Sequence, residues 1–305
     1  MTPAARANLL LLLASAIWGS AFVAQRVGSD SMPPAAFTGV RHVIGALVLI
    51  PVIIWFDRRR GISKVEGWER TRRVLLPGAL VGVALFAGSY LQQFGLAYTT
   101  AGNAGFITSL YMVFVPVAAR LLGARMSRWV WVGVLLATAG LYLLSVRDGF
   151  RMGLGDTLVL ACAVAWTVQI LLVDKYAPTL DAVRLAATEF AACAVIGLVV
   201  SVVTETDPFA GTFTAMAPLL YAGVLSTGVA FTLQVMAQQH ARPSTAALIM
   251  ALESVFAVVA GTLFLAERMD GRSLAGCALM LAGIILAQRA PAATPPPSAA
   301  APQPA

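Results

Sequence analysis

Ionisable side chains are scarce in this sequence, and three of them stand inside long apolar runs. Glu253 lies near the middle of a run from about 243 to 265. At 1.5 Å of helical rise per residue it is roughly 15 Å from either end. A carboxylate at that depth costs on the order of 2.5 to 3.5 kcal/mol unless it faces a cavity or a partner. It is either a proton-coupling or cation-recognising group, or a protonated carboxyl satisfied by a neighbouring helix. Arg41 and Glu189 sit at matching places, each seven residues into another apolar run. Helix rise puts them roughly 10 Å from opposite membrane surfaces, so separate roles are expected rather than an ion pair, with both side chains reaching toward the nearer interface.

Aromatic and amide residues form a second constellation. Ser15, Trp18, Phe22 and Gln25 recur at i, i+3, i+7 and i+10, which is one helix face, and Trp166 and Gln169 make a similar face further on. Tyr90 shares a face with Gln93, and Gln234 with Gln238. Neutral amides and hydroxyls on several helices orient a polar metabolite without the full cost of buried charge. Their structural use is interhelical hydrogen bonding for Gln and packing or interface anchoring for Trp.

The elements that must position these residues follow from composition. Of 305 residues 59% are hydrophobic and 11% charged, and the mean hydropathy is +0.82. A water-soluble domain is excluded. Ten spans can be drawn, at about 8 to 27, 34 to 56, 74 to 97, 101 to 122, 129 to 146, 154 to 173, 182 to 203, 216 to 238, 243 to 265 and 273 to 289. The first is read as a retained helix rather than a cleaved signal, because it carries Trp18 and lacks a small-residue cleavage site. Residues 290–305 are rich in Pro and Ala, cannot bury apolar surface, and are expected to be a disordered tail. With the N-terminus inside, 15 Lys and Arg fall in cytoplasmic segments and five outside, which favours both termini in the cytoplasm of the inner membrane.

An internal repeat runs through the chain. Ala14-Ser15-Ala16-Ile17-Trp18 matches Cys162-Ala163-Val164-Ala165-Trp166, Gln92 matches Gln234, and Tyr111 is the counterpart of Glu253. Arg125-Met126-Ser127 matches Arg268-Met269-Asp270, and Gly133 and Gly140 match Gly276 and Gly283. Each half, 8–146 and 154–289, holds five spans. Five is odd, so the second half enters from the opposite side, giving an all-α integral membrane fold of ten helices in two inverted repeats. That architecture is typical of secondary transporters, with a substrate site between the halves.

The segment LLLASAIWGSAFVAQRV, Arg41 in the second span, LESVFAVVAGTLFLAERMD and the Gly276 to Gly283 stretch resemble the EamA family of the drug/metabolite transporter superfamily. The resemblance covers roughly residues 8 to 289. It implies a ten-helix exporter or permease of small metabolites such as amino acids or amphiphilic drugs, with a central cavity lined by both halves and spans five and ten more peripheral. It also marks Arg41. The sequence departs from the family pattern at Ser254, where many members have Pro, and at Ala124, where the second half has Glu267.

No HExxH, GxSxG, P-loop or DxD pattern occurs, so neither an enzyme nor a self-contained primary pump is indicated. His42 is expected to be an interhelical donor, and Cys162, Cys193 and Cys277 have no metal-like spacing. No cofactor, metal or nucleic-acid partner is implied. The expected partners are a small-molecule substrate and membrane lipids, with intramolecular packing favoured over a homodimer for the small-residue stripes. Two other classes remain in view, an intramembrane enzyme or lipid flippase-like protein and a non-transporting receptor or assembly subunit. The seven Lys and Arg from Arg58 to Arg73 fit the positive-inside rule, with lipid contact as an additional role.

Overall fold

Helix starts are written locally. Pro3, Pro34 and Pro243 each open a helix, where a missing N–H costs nothing. Side-chain oxygens of Thr2, Ser63 and Asp181 accept from the backbone N–H groups of Ala5, Glu66 and Arg184. Gly61 and Gly123, with φ of +63° and +93°, terminate helices in the left-handed region.

The computed structural model describes residues 1–99, 101–145, 153–264 and 271–289. Its helices are α1 (Pro3–Ser29), α2 (Pro34–Arg59), α3 (Lys64–Leu96), α4 (Ala101–Ser109), α5 (Tyr111–Leu121), α6 (Arg128–Ser145) and α7 (Leu154–Tyr176), followed by α8 (Ala182–Thr204), α9 (Met216–Leu220), α10 (Thr232–Gln238), α11 (Pro243–Met250), α12 (Glu253–Phe264) and α13 (Gly271–Gln288). A π-helical stretch, Tyr221–Phe231, joins α9 to α10. Among the described residues eight helices are long and apolar enough to cross a membrane, and two shorter apolar helices cover Arg128–Leu143 and Pro243–Val259. The expected fifth and ninth spans run up to residues 146–152 and 265–270. Those segments, the Arg268-Met269-Asp270 match and the 290–305 tail lie outside the described residues.

Polarity is distributed as bilayer solvent demands. Leu47, Ile50, Leu76, Val83, Leu135, Val199 and Ile285 face outward, whereas Gln25, Arg41, Gln93, Gln169, Glu189, Gln234 and Glu253 are buried.

Backbone contact needs glycine at the helix crossings. A Cβ on Gly133 would sit 2.5 Å from the Gly283 carbonyl oxygen, and one on Gly140 2.5 Å from that of Gly276, so α6 and α13 lie antiparallel in direct contact. The glycine stripes are thus used within the chain. Gly39 and Gly197 bring α2 against an antiparallel α8, and Gly78 and Gly82 bring α3 over Thr188 and Glu189.

The α2–α8 pair is held at both ends. At one end Arg184 reaches Asp57 at 2.6 Å, Asp181 at 3.1 Å and the Thr71 hydroxyl at 3.2 Å. At the other, the Glu205 carboxylate accepts from the backbone N–H groups of Ala35 (2.7 Å) and Ala36 (2.9 Å) at the start of α2.

Candidate functional site

α1, α7 and the Tyr221–Phe231 stretch carry the aromatic wall of a central cavity. Trp18 meets Phe231 with ring centroids 4.7 Å apart, and Trp166 stacks on Phe231 at 5.5 Å. The Trp18 indole donates to the Ser226 carbonyl at 3.2 Å, fixing the ring against the π-helical stretch. Gly88 of α3 leaves room for the Trp166 ring, since a Cβ there would lie 3.0 Å from it.

The cavity is lined by Trp18, Phe22, Gln25, Arg41, Gln92, Thr108, Tyr111, Trp166, Gln169, Ile170, Ser226, Phe231, Gln234, Met250 and Glu253. Trp18, Gln25, Arg41, Tyr111, Trp166, Gln169, Gln234 and Glu253, all singled out from sequence, therefore face one space. Tyr90 and Gln93 do not. The Tyr90 ring stacks on Phe86 at 5.4 Å, and Gln93 donates to the Gln25 carbonyl (3.0 Å) and the Ser29 hydroxyl (2.6 Å), buttressing α1 from behind. On α3 it is Gln92 that reaches the cavity. One residue is about 100° of helix rotation. The repeat match of Gln92 with Gln234 was the signal that singles it out.

Glu253 is 5% exposed and receives the Tyr111 hydroxyl at 3.2 Å. Both residues stand at the first position of a helix that follows a break. The N–H of Leu110 turns to the Ile107 carbonyl and that of Leu252 to Ile249, each at 3.1 Å and three residues back rather than four. Beside them the Ser109 and Ser254 hydroxyls share a hydrogen bond of 2.7 Å. The carboxyl is thus offset by a helix N-terminus and the Tyr111 hydroxyl, with Ser109 beside it. α1 backs it closely, because a Cβ on Gly19 would sit 2.6 Å from the Glu253 carbonyl oxygen.

Arg41 is 2% exposed, donates from Nη1 to Gln25 Oε1 at 3.1 Å, and leaves Nε without a partner. Glu189 is fully buried outside the lining set, near Gln169, with neither carboxyl oxygen hydrogen-bonded. The expectation that both side chains reach toward an interface is therefore corrected. The close glycine crossings of α2 with α8 and of α3 over α8 enclose them instead. His42 is corrected as well, since its Nδ1–H donates to Thr38 of its own helix at 2.7 Å rather than across an interface. The amide wall continues as a ladder, in which Gln234 donates to Gln169 (3.0 Å) and Gln238 (2.9 Å), and Gln238 to the Ile170 carbonyl (2.9 Å).

Aromatic faces, amides, one guanidinium and one carboxyl in a confined space can bind and orient a small amphiphile. Thr108, Ile170, Ser226, Phe231 and Met250 complete the lining and were not singled out, because Ser, Thr and apolar residues at helical spacing read as packing.

A profile of the EamA-like transporter family matches residues 5–146 and again 153–288. An uncharacterized transporter of Archaeoglobus fulgidus is 34% identical over 281 residues, covering 92% of this chain and 85% of the relative. The uncharacterized transporter YoaV of Bacillus subtilis is 25% identical over 88% of this chain and 92% of its own. The uncharacterized inner membrane transporter YedA of Escherichia coli (strain K12) is 25% identical over 49% of this chain and 47% of its own. A solved crystal structure shares the fold, with a TM-score of 0.74 at 21% identity over 92% of this chain and 96% of that one.

Proposed function

This chain belongs to the EamA-like transporter family, and from that premise we propose that it is a secondary transporter moving a small amphiphilic metabolite across the inner membrane by alternating access. The observation that carries this reading is the single cavity in which Arg41, Glu253 and the Trp18–Phe231–Trp166 wall converge. Export is the direction, both termini are cytoplasmic, and the protein has no catalytic role.

Ten spans in two inverted halves underlie the movement. Three sets of contacts support that arrangement. Gly133 meets Gly283 while Gly140 meets Gly276, which are each other's repeat counterparts. Tyr111 bonds Glu253, its own counterpart. With Arg41 matched to Glu189, Asp57 matches Glu205 and Ala36 matches Arg184, so the two clasps of the α2–α8 pair correspond as well.

Glu253 decides whether flux depends on a proton gradient, because its carboxyl faces the cavity whose access to water changes during transport. Glu253→Gln keeps size and hydrogen-bonding capacity and removes titration. In proteoliposomes carrying an imposed pH gradient, the variant is expected to bind substrate but to lose the pH dependence of flux. An unchanged pH profile and an unchanged response to a protonophore would make Glu253 structural and the protein a facilitator.

A further inference from the structure

Away from the central cavity, a second one opens between the end of α2, the first turns of α3, the start of α8 and α10. Its walls divide by chemistry. Ile53, Phe56 and Met236 give it an apolar side, and Arg60, Arg70 and Arg73 give it a basic rim. α3 has 33 residues, about 50 Å at 1.5 Å per residue against a hydrocarbon core of about 30 Å, so its first turns stand in the headgroup layer. Exposed Trp55 (47%) and Trp68 (59%) flank the rim at the same level, where amphipathic rings anchor at the membrane surface.

The carboxylates around this cavity are already engaged. Glu66 holds Arg70 at 2.7 Å, Glu69 holds Arg72 at 3.4 Å, and Asp57 and Asp181 hold Arg184 on the floor. Among the described residues the Arg73 side chain has no ion-pair or hydrogen-bond partner, and Arg60 lies over the Phe56 ring at 5.2 Å. The lining cations left without a carboxylate among the described residues are therefore Arg60 and Arg73, directly beside an apolar wall.

We infer that this cavity is a binding site for an anionic phospholipid, with the headgroup phosphate taken by Arg60 and Arg73 and an acyl chain lying along Ile53, Phe56 and Met236. The inference needs only that the chain spans a membrane and does not depend on what the central cavity carries. A lipid seated there bridges the ends of α2, α3, α8 and α10 beside the Arg184 clasp, so it fastens the side of the bundle that bears the basic loop.

The test uses the full chain in detergent, with phosphatidylglycerol, phosphatidylcholine or soluble glycerol 3-phosphate added, read by native mass spectrometry and by thermal unfolding. Phosphatidylglycerol is expected to be retained and to raise the unfolding temperature, whereas the other two do neither. The double variant Arg60→Gln, Arg73→Gln should bind it roughly 30-fold more weakly, from two cations worth about 1 kcal/mol each at the membrane surface. Arg58→Gln with Arg59→Gln removes the same charge from the last turn of α2, outside the cavity lining, and should bind within a few-fold of the parent. Equal binding of phosphatidylcholine, equal binding of the soluble phosphate, or an equal loss in the control variant would each overturn the site.

Discussion

Arg184 and Arg41 are both buried guanidinium groups, 4% and 2% exposed, yet their surroundings differ. Arg184 uses all three nitrogens, toward Thr71, Asp181 and Asp57, and the two carboxylates more than neutralise it. Arg41 makes one hydrogen bond, to a neutral amide, and keeps Nε unpartnered beside a cavity. The same contrast separates Glu205, whose two oxygens each accept a backbone N–H, from Glu189, whose oxygens accept none. Satisfied charge at the helix ends holds the bundle together, whereas the under-satisfied guanidinium of Arg41, which lines the cavity, is what a ligand can complete.

Removing Arg184 should give the largest effect. Arg184→Ala strands Asp57 and Asp181 in a partly buried pocket and is expected to cost about 3 kcal/mol of stability, read as a lowered denaturation midpoint in detergent. Adding Asp57→Leu should restore part of that loss, and a single variant as stable as the parent would dismiss the clasp.

Arg41→Gln tests the other side of the comparison. It removes a charge that no carboxylate neutralises, so stability should change by less than about 1 kcal/mol. A ligand identified by thermal-shift screening should bind at least about tenfold more weakly, since hydrogen bonds to charged groups contribute about 1.5 to 3 kcal/mol. Unaltered affinity together with a large loss of stability would reverse the assignment.

The adjacent glutamines of α3 offer the smallest and most selective contrast. Gln93→Leu removes two hydrogen bonds to α1 and should lower stability by about 1 to 2 kcal/mol with ligand affinity kept. Gln92→Leu should weaken binding several-fold and leave the unfolding midpoint in place. Identical phenotypes would mean that α3 is rotated relative to the arrangement described here.

Several features were legible in the residues alone. A hydropathy of +0.82 with most charges between continuous apolar runs of helix-spanning length points to a membrane-embedded helical chain, because a strand of a lipid-facing barrel alternates apolar and polar residues instead. Arg41 and Glu253 stood out because a charge inside a hydrocarbon-length run is too costly to be idle. Trp18, Gln25 and Trp166 stood out because helical periodicity gathers them on one face.

Tertiary contact decided the rest. Periodicity names a face of a helix but not the neighbour it meets, so Tyr90 and Gln93 share a face that turns toward α1 and the Phe86 ring while Gln92 turns inward. The snorkelling expectation for Arg41 and Glu189 used depth alone, and depth carries no information about lateral enclosure by Gly39, Gly78, Gly82 and Gly197. Ser226 and Phe231 lie on a π-helical stretch whose i→i+5 bonding shifts the register that an α-helical reading assumes. Sequence sets which groups are expensive to bury, and only the packing of helices against one another sets which of those costs are offset within the chain.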